Sequence, residues 1–439
     1  MSDRSDGAAG VGAFSAKTRA TKLNGMHAKY GLLTSVVNSL GTVWTLFLMG
    51  LILTDVLGRF LFNSPLVGVP ETVAYSIVAI VFLQISNTLY VGRVTQSDLV
   101  LSYLDSKAPF AWRFFNVVFA LIGLTIFLLI AWGTFPTVVE TMERGTFFGN
   151  PAVFTVQLWP FYLMIFLGAV LAAVEYAFKA VVFALACVRA EISDAKVGKR
   201  DYLMIVGLLT FFAAALLFVA TDPSKLAVGL LSIFGIIVLI YAGMPVAITL
   251  ISISLLGIYS VRSMDLAVKT LALSSTGTIT EYIFGVIPLF VLMGLVINVT
   301  GVGKDTFDVA QWLVGKLKGG LGIATVLANA IFAAVTGVSI ASAAVFTRVA
   351  TPEMIRYGYS ERFAVGVVAG SSVLGMLIPP SLLLIVYAVI AEVSVGSLFL
   401  AAVIPGILLA CCFIVAIMLM ARFAPSFIGS ENIDIPEST

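Results

Sequence analysis

Apolar runs of roughly membrane-spanning length recur from residue 36 to residue 421, separated by short polar stretches. Each is near the ~20 residues that carry an α-helix across a hydrocarbon core. Lipid offers the backbone no hydrogen-bond partners, so such runs must satisfy their own amides and carbonyls, as helices do. A membrane β-barrel would instead show alternating segments of ~10 residues. The chain has 439 residues, of which 60% are hydrophobic and 11% charged. A water-soluble domain cannot hide that much apolar surface. The expected fold class is therefore an all-α polytopic membrane protein, with the lipid bilayer as its surroundings. A net charge of +2 is too small to suggest nucleic-acid binding.

About ten transmembrane helices are expected, over 36–62, 72–91, 112–136, 157–188, 202–221, 226–243, 244–260, 282–300, 362–391 and 396–421. The first 30 residues are polar and basic and lack the apolar core and small-residue cleavage site of a signal peptide. The first span is thus expected to direct insertion. Basic residues should mark cytoplasmic loops. Lys17, Arg19, Lys22 and Lys29 precede the first span; Arg93, Lys107 and Arg113 follow the second; Lys179, Arg189, Lys196, Lys199 and Arg200 end the fourth. Both termini are then expected in the cytoplasm. Arg262 and Lys269 are exceptions, assigned to an interfacial helix on the outer side.

Residues 320–356 break the count in an informative way. The stretch is apolar, yet Lys316 and Lys318 precede it and Arg348, Arg356 and Arg362 lie in or after it. Both of its ends are expected inside, which makes it a re-entrant helical hairpin turning at Thr336-Gly337-Val338-Ser339. The next span, rising from Arg362, meets Ile378-Pro379-Pro380-Ser381 near its middle. Proline has no amide to donate, and its ring clashes with the preceding turn. One span becomes a broken helix. Irregular backbone at membrane depth is tolerated where protein buries it or where it lines a wet cavity. A re-entrant tip beside a broken helix points to a secondary-transporter site, where half-helix ends and freed carbonyls hold ions and substrate.

The candidate ion- and substrate-binding residues follow from these two breaks. At the tip they are Thr336, Gly337, Ser339 and Ser342; at the broken helix, Ser371, Ser372, Gly375, Pro379, Pro380 and Ser381. Gly370 also allows close backbone approach. Neutral oxygens suit Na⁺ as a coupling ion, and no other cofactor is implied. The alternative for any one serine is small-residue helix packing. Asn329, about two turns before the tip, is either a site residue or an interhelical hydrogen bond.

Intramembrane charge is scarce. Asp55 and Arg59, and likewise Glu175 and Lys179, are four apart, so each couple shares a helix face and is expected to pair structurally. Cys187, Cys411 and Cys412 have no metal-ligand spacing and read as apolar filler. The only histidine, His27, falls in the polar N-terminal segment, and no GxxxxGK[ST] motif occurs. An intramembrane Ser–His protease, a His-ligated metal site and direct use of ATP are all disfavoured, and the chain is not expected to be an enzyme. An ion channel would need a continuous polar pore, which isolated hydroxyls do not line.

Two regions resemble a known family, the tripartite ATP-independent periplasmic (TRAP) transporters of bacteria and archaea. DVLGRFLFNSPLVGVPETVAY and VGRVTQSDLVLSYL, within 52–104, resemble the small membrane subunit. YAGMPVAITL, IPLFVLMGLVINVTGVG, FAAVTGVSIASAAVFTRVATPEMIRYGY and AGSSVLGMLIPPSLLLIVYA, within 226–423, resemble the start of the large one. The organisation expected is a cytoplasmic segment over 1–30, a four-helix small-subunit-like domain over 31–190, and a linker with a connecting helix over 191–225. A transport region over 226–423 and a polar tail over 424–439 follow. The tip carries Val338 where the family usually has a first serine, which removes one hydroxyl. The large subunit normally has two inverted halves, and one is recognisable here.

The resemblance implies the membrane component of a Na⁺-coupled symporter in the cytoplasmic (inner) membrane, taking up organic acids such as dicarboxylates by an elevator motion. It implies a periplasmic substrate-binding protein as partner and a separate polypeptide carrying the second half. The alternative expectation is a truncated, non-transporting scaffold or assembly fragment. The sequence does not name the substrate.

Overall fold

The structure is a computed structural model that describes residues 6–192, 198–220, 224–277 and 282–429. It is almost wholly helical and divides into two compact units, 1–282 and 283–439.

The first unit opens with α1 (Asp6–Phe62), α2 (Val69–Val91), α3 (Asp98–Lys107), α4 (Pro109–Arg144) and α5 (Trp159–Ile192). Pro70 and Pro109 sit in the first turns of α2 and α4, where a missing amide is harmless. Helices α4 and α5 form the centre, with α2 against α5. Phe115, Phe119, Ile126 and Phe127 of α4 pack on Ile165, Ala169, Ala172 and Tyr176 of α5. The alanines let the backbones approach, the usual way membrane helices gain contact where water does not drive them together. Helix α1 runs unbroken through residue 30, so the sequence boundary there is not a structural one.

Between α4 and α5 lies a feature that falls between the expected spans 112–136 and 157–188. Strands β1 (Phe147–Asn150) and β2 (Phe154–Gln157) pair antiparallel, Phe147 opposite Gln157. The Asn150 side chain accepts from the Ala152 amide at 3.0 Å and shapes the turn.

Four further helices complete this unit: α6 (Lys199–Ala220), α7 (Lys225–Tyr241), α8 (Val246–Val261) and α9 (Met264–Gly277). Leu239, Met244 and Ile248 join the α4–α5 core. Residues 226–277, grouped by sequence with the transport region, therefore pack with the first unit. Asp201, at the start of α6, accepts from the Phe110, Ala111 and Gly198 amides at 3.1, 2.9 and 3.1 Å. It thereby caps α4 from a distant point in the chain.

The second unit comprises α10 (Val286–Thr300), α11 (Val302–Val314), α12 (Gly320–Thr336), α13 (Ser339–Arg356), α14 (Glu361–Ser372), α15 (Leu374–Leu377), α16 (Leu382–Ile390), α17 (Val395–Phe423) and α18 (Pro425–Ile428). Its core contains Phe307, Phe332, Phe346, Met354, Phe363, Leu374 and Ile417. Ser360 starts α14 by accepting from the Phe363 amide at 3.3 Å.

Five helices are long and apolar enough to cross a membrane unaided: Gly25–Phe62, Val69–Val91, Pro109–Arg144, Trp159–Val188 and Val395–Phe423. Counting each of two bent pairs as one span raises the number to seven. The expected ten are not reached on length among the described residues. Helices α7 and α8 have 17 and 16 residues, about 25 Å at 1.5 Å per residue, a little short of a ~30 Å hydrocarbon core.

Candidate functional site

The two irregular stretches meet. Helix α12 ends where Gly337 adopts φ +63°, a left-handed conformation that strains any residue with a Cβ. Val338 is extended and α13 begins at Ser339. The α14–α15 run stops at Leu377, and α16 resumes at Leu382 after a 45° bend. Ile378 and Ser381 are extended, as a residue before proline and a helix N-cap should be. The Pro379–Pro380 bond is cis.

Tip and break touch backbone to backbone. The Leu382 amide donates to the Gly337 carbonyl at 3.2 Å. A Cβ on Gly337 would lie 2.4 Å from the Pro380 carbonyl oxygen, and one on Gly375 would lie 3.1 Å from the Ser339 amide nitrogen. The close approach of chain to chain thus requires glycine at 337 and leaves a tight fit for any Cβ at 375.

Every sequence-predicted hydroxyl at the two breaks is buried: Thr336, Ser339, Ser342, Ser371, Ser372 and Ser381. Thr336 donates to Phe332 O at 2.9 Å, Ser372 to Ala369 O at 2.8 Å and Ser381 to Met376 O at 2.7 Å. Each hydroxyl proton is then committed to a carbonyl, while the oxygen keeps lone pairs for a cation or donor. Asn329 joins the group: Ser342 donates to its side-chain oxygen, and its amide donates to Ser371 Oγ at 2.6 Å. Of the two readings left open for Asn329, the structure shows the interhelical hydrogen bond, and its partners are two of the predicted site residues. Nothing in the local sequence singles it out beyond its polarity in an apolar arm.

The charged couples behave differently. Arg59 donates to Asp55 at 2.6 Å, and the other Asp55 oxygen accepts from the Leu66 amide at 2.8 Å. Glu175 and Lys179, expected to pair, do not pair with each other. The Glu175 carboxylate lies 3.1 Å from His27 Nε2, and Lys179 donates to the Leu89 carbonyl at 2.6 Å, at the end of α2. Both side chains find partners on neighbouring helices, while the second Glu175 oxygen is buried without a hydrogen bond. His27 is therefore on the packed part of α1, its ring 4.9 Å from that of Tyr90, rather than in a segment outside the bundle. No group of three or more His, Cys, Asp or Glu able to hold a metal occurs among the described residues.

Comparison with known proteins divides the chain the same way as its motifs. Residues 48–186 match the family of tripartite ATP-independent periplasmic transporters, DctQ component. Residues 233–434 match the tripartite ATP-independent periplasmic transporter, DctM component. The C4-dicarboxylate TRAP transporter large permease protein DctM of Pseudomonas aeruginosa is 42% identical over 156 residues, 36% of each chain. The sialic acid TRAP transporter large permease protein SiaM of Vibrio cholerae is 36% identical over 147 residues, 34% of each chain. The isethionate TRAP transporter permease protein DctMQ of Oleidesulfovibrio alaskensis is 31% identical over 148 residues, 34% of this chain and 23% of that one. The chain spans about a third of the length of the first of these relatives. Its two matched regions account for most of its residues, and the chain belongs to the TRAP transporter family, with a DctQ-like region followed by a DctM-like region in one polypeptide, a transporter permease component and not an enzyme.

Proposed function

We propose that this chain forms part of a Na⁺-coupled permease that takes up organic acids delivered by a periplasmic substrate-binding protein. The observation that carries this reading is the contact between hairpin tip and helix break, surrounded by buried neutral oxygens. Carbonyls at the ends of α12 and of the α14–α15 run suit a small cation, whose charge the C-terminal ends of helices favour. The N-terminal ends of α13 and α16 suit an acidic solute for the opposite reason. A cation without a full carboxylate needs several oxygens at once, since an unpaired buried ion is far costlier than a few hydrogen bonds return. Binding of ion and solute is thereby coupled: each neutralises the other beside the same two breaks.

The relatives are named for C4-dicarboxylates, sialic acid and isethionate. The common thread is an acidic group, and this chain takes a solute of that class. Its partners are the binding protein and a second inverted half of the large component. It resides in the cytoplasmic membrane with both termini inside, and the hairpin-bearing unit moves as an elevator.

The test is uptake of a radiolabelled C4-dicarboxylate by proteoliposomes holding the permease assembled around this chain, with its binding protein. An inward Na⁺ gradient is expected to drive accumulation, and an equal K⁺ gradient is not. Gly337→Leu and Pro380→Ala are expected to abolish it. Uptake indifferent to Na⁺, or unchanged in both variants, overturns the reading.

A further inference from the structure

Asn329 is fully buried on α12 and uses its one amide to bind two other elements. Ser371 Oγ donates to Val367 O at 2.6 Å, which commits its only proton. Ser371 must therefore accept from Asn329, which orients the amide nitrogen toward α14. The amide oxygen then faces α13, where it accepts the Ser342 proton. The result is a directed chain running Ser342, Asn329, Ser371, Val367 carbonyl. It ties both arms of the hairpin to the helix that leads into the Pro379–Pro380 break.

The chain complements the contact at the tip. There, the Gly337 carbonyl and the Leu382 amide join α12 to α16. About two turns below, Asn329 joins α12 to α13 and α14. An element held at one point can pivot; one held at two cannot. We propose that Asn329 is a positioning residue that fastens hairpin tip to helix break as one body and so fixes the separation of the oxygens available to a cation. Its amide does not itself ligate the ion. This proposal rests on the reading of the junction as a Na⁺ site, but the fastening is testable without it.

Side-chain chemistry separates a positioning role from a ligand role. Asn329→Ala removes both links. Asn329→Asp keeps the acceptor for Ser342; its carboxyl regains a donor toward Ser371 only when protonated. Ser371→Ala cuts one link and leaves Asn329 in place.

Hydrogen exchange of the full chain in lipid nanodiscs, in NaCl or KCl at equal ionic strength, reads the result. Asn329→Ala is expected to speed exchange in peptides covering 334–342 about tenfold or more, the loss expected from breaking a buried hydrogen-bonded link. Peptides of the first unit are expected to keep their wild-type rates, which separates this from general destabilisation. Ser371→Ala should act similarly, and the double variant should be no worse than Asn329→Ala, because linked residues are non-additive. Asn329→Asp, compared with wild type at each pH, should approach the wild-type rate as pH is lowered. Unchanged exchange at 334–342 in Asn329→Ala overturns the fastening. Tighter Na⁺ protection in Asn329→Asp at high pH shows a direct ligand and also overturns the proposal. Loosened exchange in Asn329→Ala, with a wild-type tip indifferent to Na⁺, upholds the fastening and sinks the Na⁺ reading instead.

Discussion

Both units bury neutral hydroxyls, Thr34, Ser76 and Thr134 among them in the first, but they differ in buried charge. The buried charged side chains among the described residues, Asp55, Glu175 and Asp201, all lie in the first unit. Each holds another part of the chain: Asp55 the Leu66 amide in the α1–α2 loop, Asp201 the start of α4, and Glu175 the histidine on α1. The buried polar groups of the second unit are neutral: Thr325, Asn329, Thr336, Ser339, Ser342, Thr351, Ser371, Ser372 and Ser381. A buried charge is strongly held by a partner and is expensive to release. Neutral hydroxyls are held weakly and can add a ligand without leaving a charge exposed. Among the described residues the first unit thus buries charges fixed by partners, and the second buries only neutral polar groups.

That contrast can be broken most severely at the tip. Gly337→Leu places a Cβ against the Pro380 carbonyl in a left-handed conformation. It is expected to destabilise the second unit by about 2–4 kcal/mol and to abolish uptake. A variant that folds with an unchanged thermal midpoint and transports normally would remove the tip from the mechanism.

Asp201→Ala probes the other side of the comparison. Three amides lose one shared acceptor, which is expected to lower stability by about 2–3 kcal/mol. The surviving protein should keep its wild-type Na⁺ dependence. A shifted Na⁺ requirement in flux assays would mean that the first unit takes part in ion binding.

Ser372→Ala should have the smallest effect on stability and still sharpen the contrast. Its hydroxyl bonds only the Ala369 carbonyl of its own turn, so the thermal change is expected within about 0.5 kcal/mol. Loss of an oxygen near the junction should nonetheless raise the Na⁺ needed for half-maximal uptake. An unchanged Na⁺ requirement would assign Ser372 to packing.

Much of the second unit is legible in the sequence because its breaks have local causes. Gly337 permits a left-handed turn and the Pro379–Pro380 pair breaks the helical hydrogen bonding, and their neighbours locate the helix ends. The small-residue spacing likewise announces close contact at Gly375. What is not legible is which partner a side chain chooses among several helices. Glu175 and Lys179 are four apart and could meet, yet each reaches a different helix because burial offered a histidine and a helix-end carbonyl. Asp201 gives one local hint, an acid after Lys199 and Arg200 at the mouth of an apolar run. Its target, the start of α4 some ninety residues earlier, is a tertiary fact. The β1–β2 hairpin escaped for another reason: strands of four residues are too short to show a period.

The most direct measurement compares one alteration in each unit within the complete transporter. Gly375→Ala intrudes on the Ser339 amide at the junction, whereas Glu175→Gln removes a charge from the first unit without changing its shape. Initial uptake rates are recorded against Na⁺ concentration for both and for the wild type. Ion binding at the junction predicts that Gly375→Ala raises the half-saturating Na⁺ concentration about tenfold, on the order of 1.4 kcal/mol of lost ion binding, and that Glu175→Gln leaves it unchanged. A shift in Glu175→Gln with none in Gly375→Ala would contradict it.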